Sequence, residues 1–231
     1  MDSPALIDRR HLLAGAAGGT LALIVTACAG YRPDSVELVR RLLLISSERA
    51  FQRLTGPDGF LGDQLVRLTP PELEGTRGGR VLGDLLASPV IRDRLARQMN
   101  YAAGMSAEAV APVVMDAARR LTVADAFAVL RGGPHAATDA LEGAFAAELV
   151  ARMNPLAADN LGRGDSAIVA EVLRIATGID VDAVSRSVAS QASAAIFRAI
   201  GREEAAIRAD PRGIDDPALR AVLTGSSLLG R

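Results

Sequence analysis

The sequence predicts an all-α protein, a multi-helix bundle with short breaks and one long C-terminal helix. Three observations lead there. Helix-start signals followed by apolar residues at steps of three, four or seven recur from Asp34 onward. No run alternates apolar and polar residues with β-branched enrichment, as a half-buried strand requires. Apolar residues make up 49% of the chain but aromatics only 3%, with no Trp, so the core must be built from Ala, Leu, Val and Ile. That palette suits closely packed helices better than sheets. The 231 residues suffice for a sizeable core, and no period of roughly 20 to 50 residues recurs, which argues against a solenoid.

The first element is an address. Arg9-Arg10 precedes a run of apolar and small residues from Leu12 to Ala27. A charged start, a short apolar stretch and small residues before a cut mark a secretory signal peptide, here residues 1–27. A membrane span would need roughly 20 apolar residues, and Gly15, Gly18, Gly19 and Thr20 loosen this run. Val25-Thr26-Ala27-Cys28 resembles the lipobox of bacterial lipoproteins. That resemblance implies cleavage between Ala27 and Cys28, acylation of the Cys28 thiol and a membrane anchor. Cys28 is the only Cys, so an intramolecular disulfide is excluded, and acylation accounts for an exported chain with one thiol. Asp8-Arg9-Arg10-His11-Leu12-Leu13 resembles a twin-arginine export signal, with Asp8 and Leu12 departing from it and Sec export as the alternative. Ala29 follows the Cys rather than Asp, which by the lipoprotein sorting pattern implies the outer membrane on its periplasmic side. Residues 28–33 are then an acylated tether, 34–225 a single helical domain and 226–231 a flexible tail.

Along the domain, Asp34-Ser35-Val36-Glu37 reads as a capping box, followed by a stripe of Val36, Val39, Leu43, Ala50 and Leu54 and ended by Gly56-Pro57-Asp58-Gly59. Thr69-Pro70-Pro71-Glu72 starts a second element, and Ser88-Pro89 a helix to about Ala103. Ser106-Ala107-Glu108 starts another to about Leu121, with Pro112 inside. Thr122-Val123-Ala124-Asp125 reads as a capping box with Thr122 as N-cap, for a short helix stopped by Gly132-Gly133. This pair is expected to supply left-handed backbone freedom, so that Gly133→Val destabilises strongly. Pro134 opens a helix to Met153 that Asn154-Pro155 breaks, and Asp165-Ser166 begins one to about Thr177. The longest helix runs from Val181 to Ala209, ended by Asp210-Pro211, and Asp216-Pro217 starts a final short one.

With the helices placed, a resemblance emerges. Gly56-Pro57-Asp58-Gly59-Phe60-Leu61, Met99-Asn100, Leu121-Thr122-Val123-Ala124-Asp125-Ala126, Leu130-Arg131-Gly132-Gly133, Ala136-Ala137-Thr138-Asp139 and Glu203-Glu204-Ala205-Ala206-Ile207-Arg208-Ala209-Asp210-Pro211 are collinear with the bacterial exported family catalogued as domain of unknown function 4197. The resemblance covers roughly residues 36–225 and implies an exported, mostly helical domain without an activity to carry over. Ala140-Leu141 stands where that family usually has Tyr-Phe.

The chemistry left open is narrow. All 26 basic residues are Arg, set against 27 acids, and the net charge of -1 excludes nucleic-acid binding by bulk charge. After cleavage His135 is the only His, so two-histidine metal spacings are excluded, and no metal or other cofactor is expected. With Cys28 acylated no thiolate nucleophile remains, and neither a Walker-type loop nor a Gly-x-Ser-x-Gly elbow occurs. The candidate site residues are Asp125, His135, Thr138 and Asp139. His135 and Asp139 lie four apart on one helix face and could orient each other or share a cation, although a surface pair near a helix start is the simpler reading. Asp180, Asp182, Asp210, Asp215 and Asp216 read as caps rather than a calcium loop, and Arg92, Arg94, Arg97, Arg119 and Arg120 as a solvated face. Three functional classes follow: an envelope-tethered interaction or scaffold module with a protein partner, a binder of a lipid or small apolar ligand between helices, and, last, a carboxylate-based enzyme.

Overall fold

The Asp34 carboxylate accepts the backbone N–H of Glu37 at 2.7 Å and so starts α1, Ser35–Leu54. The other half of the expected capping box is absent: Glu37 turns forward to Arg41, one helical turn on, at 3.0 Å. The structure, a computed structural model, describes residues 34–69, 84, 87–162 and 181–229. The expected signal peptide and tether, the start expected at residues 70–72 and the helix expected over 165–177 lie outside these described residues. Among the described residues there are six helices and no strand, and 80% of them are helical, so the all-α bundle is observed. After α1 come α2 (Pro89–Arg120), α3 (Ala126–Arg131), α4 (Ala136–Leu161), α5 (Val181–Ala209) and α6 (Pro217–Leu229). The backbone of α6 is helical over residues 226–229 of the expected tail.

The long helices form a ring of neighbours in which α1 packs on α2, α2 on α4, α4 on α5 and α5 back on α1. The α5 helix also meets α2 and is central, with the bounds read from the sequence. Its face toward the core is built from Val188, Ala189, Ala192, Ala195, Ile196, Ala199 and Ile200, all fully buried. Small side chains let α4 and α5 approach closely, and the aromatic-poor composition thus becomes packing.

Two expected breaks do not occur. The helices expected to end near Ala103 and restart at Ser106 are one continuous α2. The Ser106 hydroxyl donates back to the Ala102 carbonyl at 2.7 Å instead of capping a new helix. One helical glycine, Gly104, costs about 1 kcal/mol, less than what burying Ala102, Ala103, Ala107 and Val110 along an unbroken face returns. Likewise α4 continues through Pro155 to Leu161. Its buried residues Ala137, Leu141, Phe145, Leu149, Met153, Ala157 and Leu161 recur every fourth position, and ending at Met153 would forfeit the last two.

The expected N-cap of α3 is also displaced. The Asp125 side chain, not Thr122, accepts the N–H of Ala128 at 2.8 Å, and Thr122 is exposed in the connection before it. A carboxylate makes the stronger, charge-assisted bond. Thr122→Ala should therefore leave the unfolding midpoint unchanged, whereas Asp125→Ala should lower stability by about 1 kcal/mol. Urea titration of both variants reads the difference.

Candidate functional site: the turn from α3 to α4 and its groove on α5

Helix α4 begins without a cap of its own, because His135 stands at its N-cap position and makes no side-chain capping bond. Its exposed amides would be costly to bury unpaired. The carboxylate comes from α5 instead. Glu204, fully buried, accepts from the N–H of Ala137 at 3.0 Å, the N–H of Thr138 at 2.7 Å and the Thr138 hydroxyl at 2.6 Å. A negative charge here also meets the positive end of the helix dipole. One turn along α5, Arg208 donates through Nε and Nη2 to Glu204 Oε1, at 2.8 and 2.7 Å. Its remaining N–H groups reach the carbonyls of Leu130 at 2.7 Å and Val129 at 3.0 Å, at the end of α3. Two adjacent turns of α5 thus close both ends of the α3–α4 reversal.

Outside this buried pair lies an open groove of about 410 Å³ between α4 and α5. Three of the four candidate residues line it: His135, Thr138 and Asp139. They have different tasks. The Thr138 hydroxyl is spent on Glu204. His135 is not joined to Asp139 by a hydrogen bond or ion pair; its Nδ1 lies 2.9 Å from the carbonyl of Gly201. A carbonyl can only accept, so Nδ1 carries a proton and donates it. The ring rests on Gly201, where a Cβ would sit 3.0 Å from Nδ1, so the glycine makes room for the imidazole. Asp125 is placed elsewhere, as the cap of α3. Among the described residues no group of three His, Cys, Asp or Glu is arranged to hold a metal.

Beside the groove, Arg202 is ion-paired with Asp63 of the loop after α1. The hydrogen bond from Arg202 holds the Asp63 carboxyl below its usual pKa. This partly exposed pair therefore contributes its modest stabilisation above the ordinary carboxylate range and loses it as pH falls through the lowered value. Other charged candidates keep structural roles: the Asp210 side chain accepts from Arg212 N–H, and Asp216 accepts from Ala218 and Leu219 at the start of α6. Asp180 lies outside the described residues. Arg120 pairs with Asp116 along the exposed face of α2.

A second groove, of about 590 Å³, runs between α2 and the loop Thr55–Leu61. Asn100, buried, positions the chain beside it by accepting from Leu68 N–H at 2.9 Å and donating to the Leu68 carbonyl at 3.0 Å. On the rim Tyr101 is 61% exposed and Met105 42% exposed.

Sequence reasoning missed Glu204, Arg208, Gly201, Glu142 and Arg198 as parts of this region. The available signal was an acid and an Arg four apart on the otherwise apolar face of the longest helix. The class that the fold and this region define is an all-α bundle with a buried Glu204–Arg208 clamp. The chain belongs to the family described as Protein of unknown function (DUF4197), whose model matches residues 32–224. No curated protein and no solved structure matches the chain.

Proposed function

We propose that the protein is a lipid-anchored component of the bacterial cell envelope, held through an acylated Cys28 on the periplasmic side of the outer membrane, that presents a helical platform to a protein partner. The anchor is supported by the lipobox-like Val25-Thr26-Ala27-Cys28. The observation that carries the interaction role is the α2 groove, where Tyr101 and Met105 leave apolar surface beside the loop Thr55–Leu61. A rigid aromatic next to a methionine is the chemistry of contact surfaces. The enzymatic reading is not favoured: of the two acids considered for catalysis, Asp125 caps α3 and Asp139 is exposed on an open groove, while the buried Glu204 beside it is consumed by four partner groups.

A photo-crosslinking phenylalanine analogue at position 101 should give one discrete adduct in intact cells, while the same residue at exposed Ala147 on α4 should not. Equal labelling at both positions, or none, would end the interaction reading. The anchor is tested separately. Cys28→Ser should stall processing or release the protein from detergent-extracted membranes, and an unmodified Cys28 in the mature protein would contradict it. Replacing Arg9 and Arg10 by Lys should block export without lowering expression if the twin-arginine route is used. Normal export of that variant assigns Sec.

A further inference from the structure

The groove between α4 and α5 has walls of opposite character. On the α4 side stand His135, Asp139 and Glu142, at successive steps of four and three on one helix face. On the α5 side stand Arg198 and Arg202. Opposed charges lining one small groove would ordinarily neutralise each other, yet neither Asp139 nor Glu142 takes part in an ion pair with any described residue. The arginines are held toward the loop after α1 instead. Arg198 Nε donates to the Leu65 carbonyl at 2.9 Å, and Arg202 is taken by Asp63. Anchoring Arg198 through Nε alone leaves its two terminal nitrogens, the planar fork that suits an oxyanion, without a partner among the described residues.

The polarity of the walls is complete at the level of single atoms. On α4 the Asp139 and Glu142 carboxylates only accept. The His135 ring spends its Nδ1 proton on the Gly201 carbonyl. On α5 the free groups of Arg198 only donate. The buried ring of Phe197 and the side chain of Ala205 line the space between, with Leu65, 44% exposed, at the edge.

We infer that this groove binds a small zwitterion of the phosphoethanolamine type, its ammonium against Asp139 and Glu142 and its phosphate against Arg198. A simple anion would face the two carboxylates, and a simple cation would face the guanidinium. Only a molecule carrying both charges a few bonds apart satisfies both walls. The same chemistry occurs as the headgroup of an aminophospholipid and as a free soluble phosphodiester. The site is independent of the Cys28 anchor and of the α2 groove, so failure of either reading leaves it standing.

The test is calorimetric titration of the mature full-length protein in a nonionic detergent with glycerophosphoethanolamine. Saturable binding is expected, with glycerol phosphate alone and ethanolamine alone each weaker by about tenfold or more. Arg198→Gln and the double variant Asp139→Asn/Glu142→Gln should each weaken binding of the zwitterion by a similar factor, while Glu148→Gln, in an exposed pair with Arg152 elsewhere on α4, should not. All these positions are partly or fully exposed, so the variants should keep the parent unfolding midpoint. Displacement of bound glycerophosphoethanolamine by nanodiscs containing phosphatidylethanolamine, but not by phosphatidylglycerol nanodiscs, assigns the lipid headgroup; retention assigns the soluble molecule. Absence of saturable binding, equal binding of either half alone, or indifference to both groove variants overturns the site.

Discussion

Replacing Glu204 by Ala should destabilise the protein by about 3–5 kcal/mol, the range for removing one partner of a buried ion pair. The size follows from what is left behind. The N–H groups of Ala137 and Thr138 and the Thr138 hydroxyl lose their acceptor, and Arg208, whose side chain is only 11% exposed, loses its counter-charge. Helix α4 has no substitute, because His135 caps nothing. Glu204→Gln should cost less but still clearly more than a surface change: one amide oxygen can accept, while the amide NH2 faces groups that are themselves donors. Arg208→Met should be milder than Glu204→Ala: Glu204 loses its counter-charge and the end carbonyls of α3 lose a donor, but the carboxylate keeps its N–H and O–H donors at the start of α4. Urea unfolding of the three variants should therefore rank them with Glu204→Ala worst. If Arg208→Met proved equal to it, the carboxylate would owe its place to the guanidinium and not to the helix end.

The same contrast explains which parts of the molecule were legible in the sequence. Local signals were read well where one residue type decides the outcome within a turn or two. Val181–Ala209 has the expected bounds because Asp210-Pro211 stops it and apolar residues keep its period throughout. Local signals misled where a long-range face outweighed them, as at Gly104 within α2 and Pro155 within α4. Thr122 and Asp125 both have capping side chains, and only the course of the chain after Leu121 selects the second. Of the candidate site, His135, Thr138 and Asp139 were singled out because they stand in a motif-dense stretch, and the fold does place them on one groove. Their partners were not legible. Glu204 lies 66 residues from Thr138 and Gly201 lies 66 from His135, so pairing them requires the antiparallel register of α4 on α5. No local pattern encodes that register; it is fixed by the alanine and leucine faces that pack the two helices together.

Gly59→Ala should be the other severe substitution, costing about 3 kcal/mol or more. A Cβ built on Gly59 would lie 2.3 Å from the Leu54 carbonyl oxygen and 2.4 Å from that of Arg53, both backbone atoms in the last turn of α1. Neither can swing aside as a flexible side chain could, so the loop would have to move. That loop carries Phe60 into the core at 2% exposure and forms one wall of the α2 groove. The residue before it adds to the constraint, since Asp58 holds a φ of 55°, a left-handed conformation that Asp tolerates better than most residues. The Gly132-Gly133 pair behaves otherwise than the sequence suggests. Gly132 has a φ of -69° and is tight, with a Cβ meeting that of Ala136 at 2.7 Å and the Ala128 oxygen at 2.9 Å. Gly133 is not left-handed and has open space where a Cβ would go, so the strong penalty expected there for Gly133→Val does not follow. Gly133→Ala should be neutral or stabilising by about 0.4–1 kcal/mol through the unfolded chain. Thermal and urea unfolding should therefore order the alanine variants Gly59 far below Gly132, and Gly132 below Gly133. Parent-like stability in Gly59→Ala would mean that the turn after α1 is looser than its packing implies, and the α2 groove would lose its fixed wall.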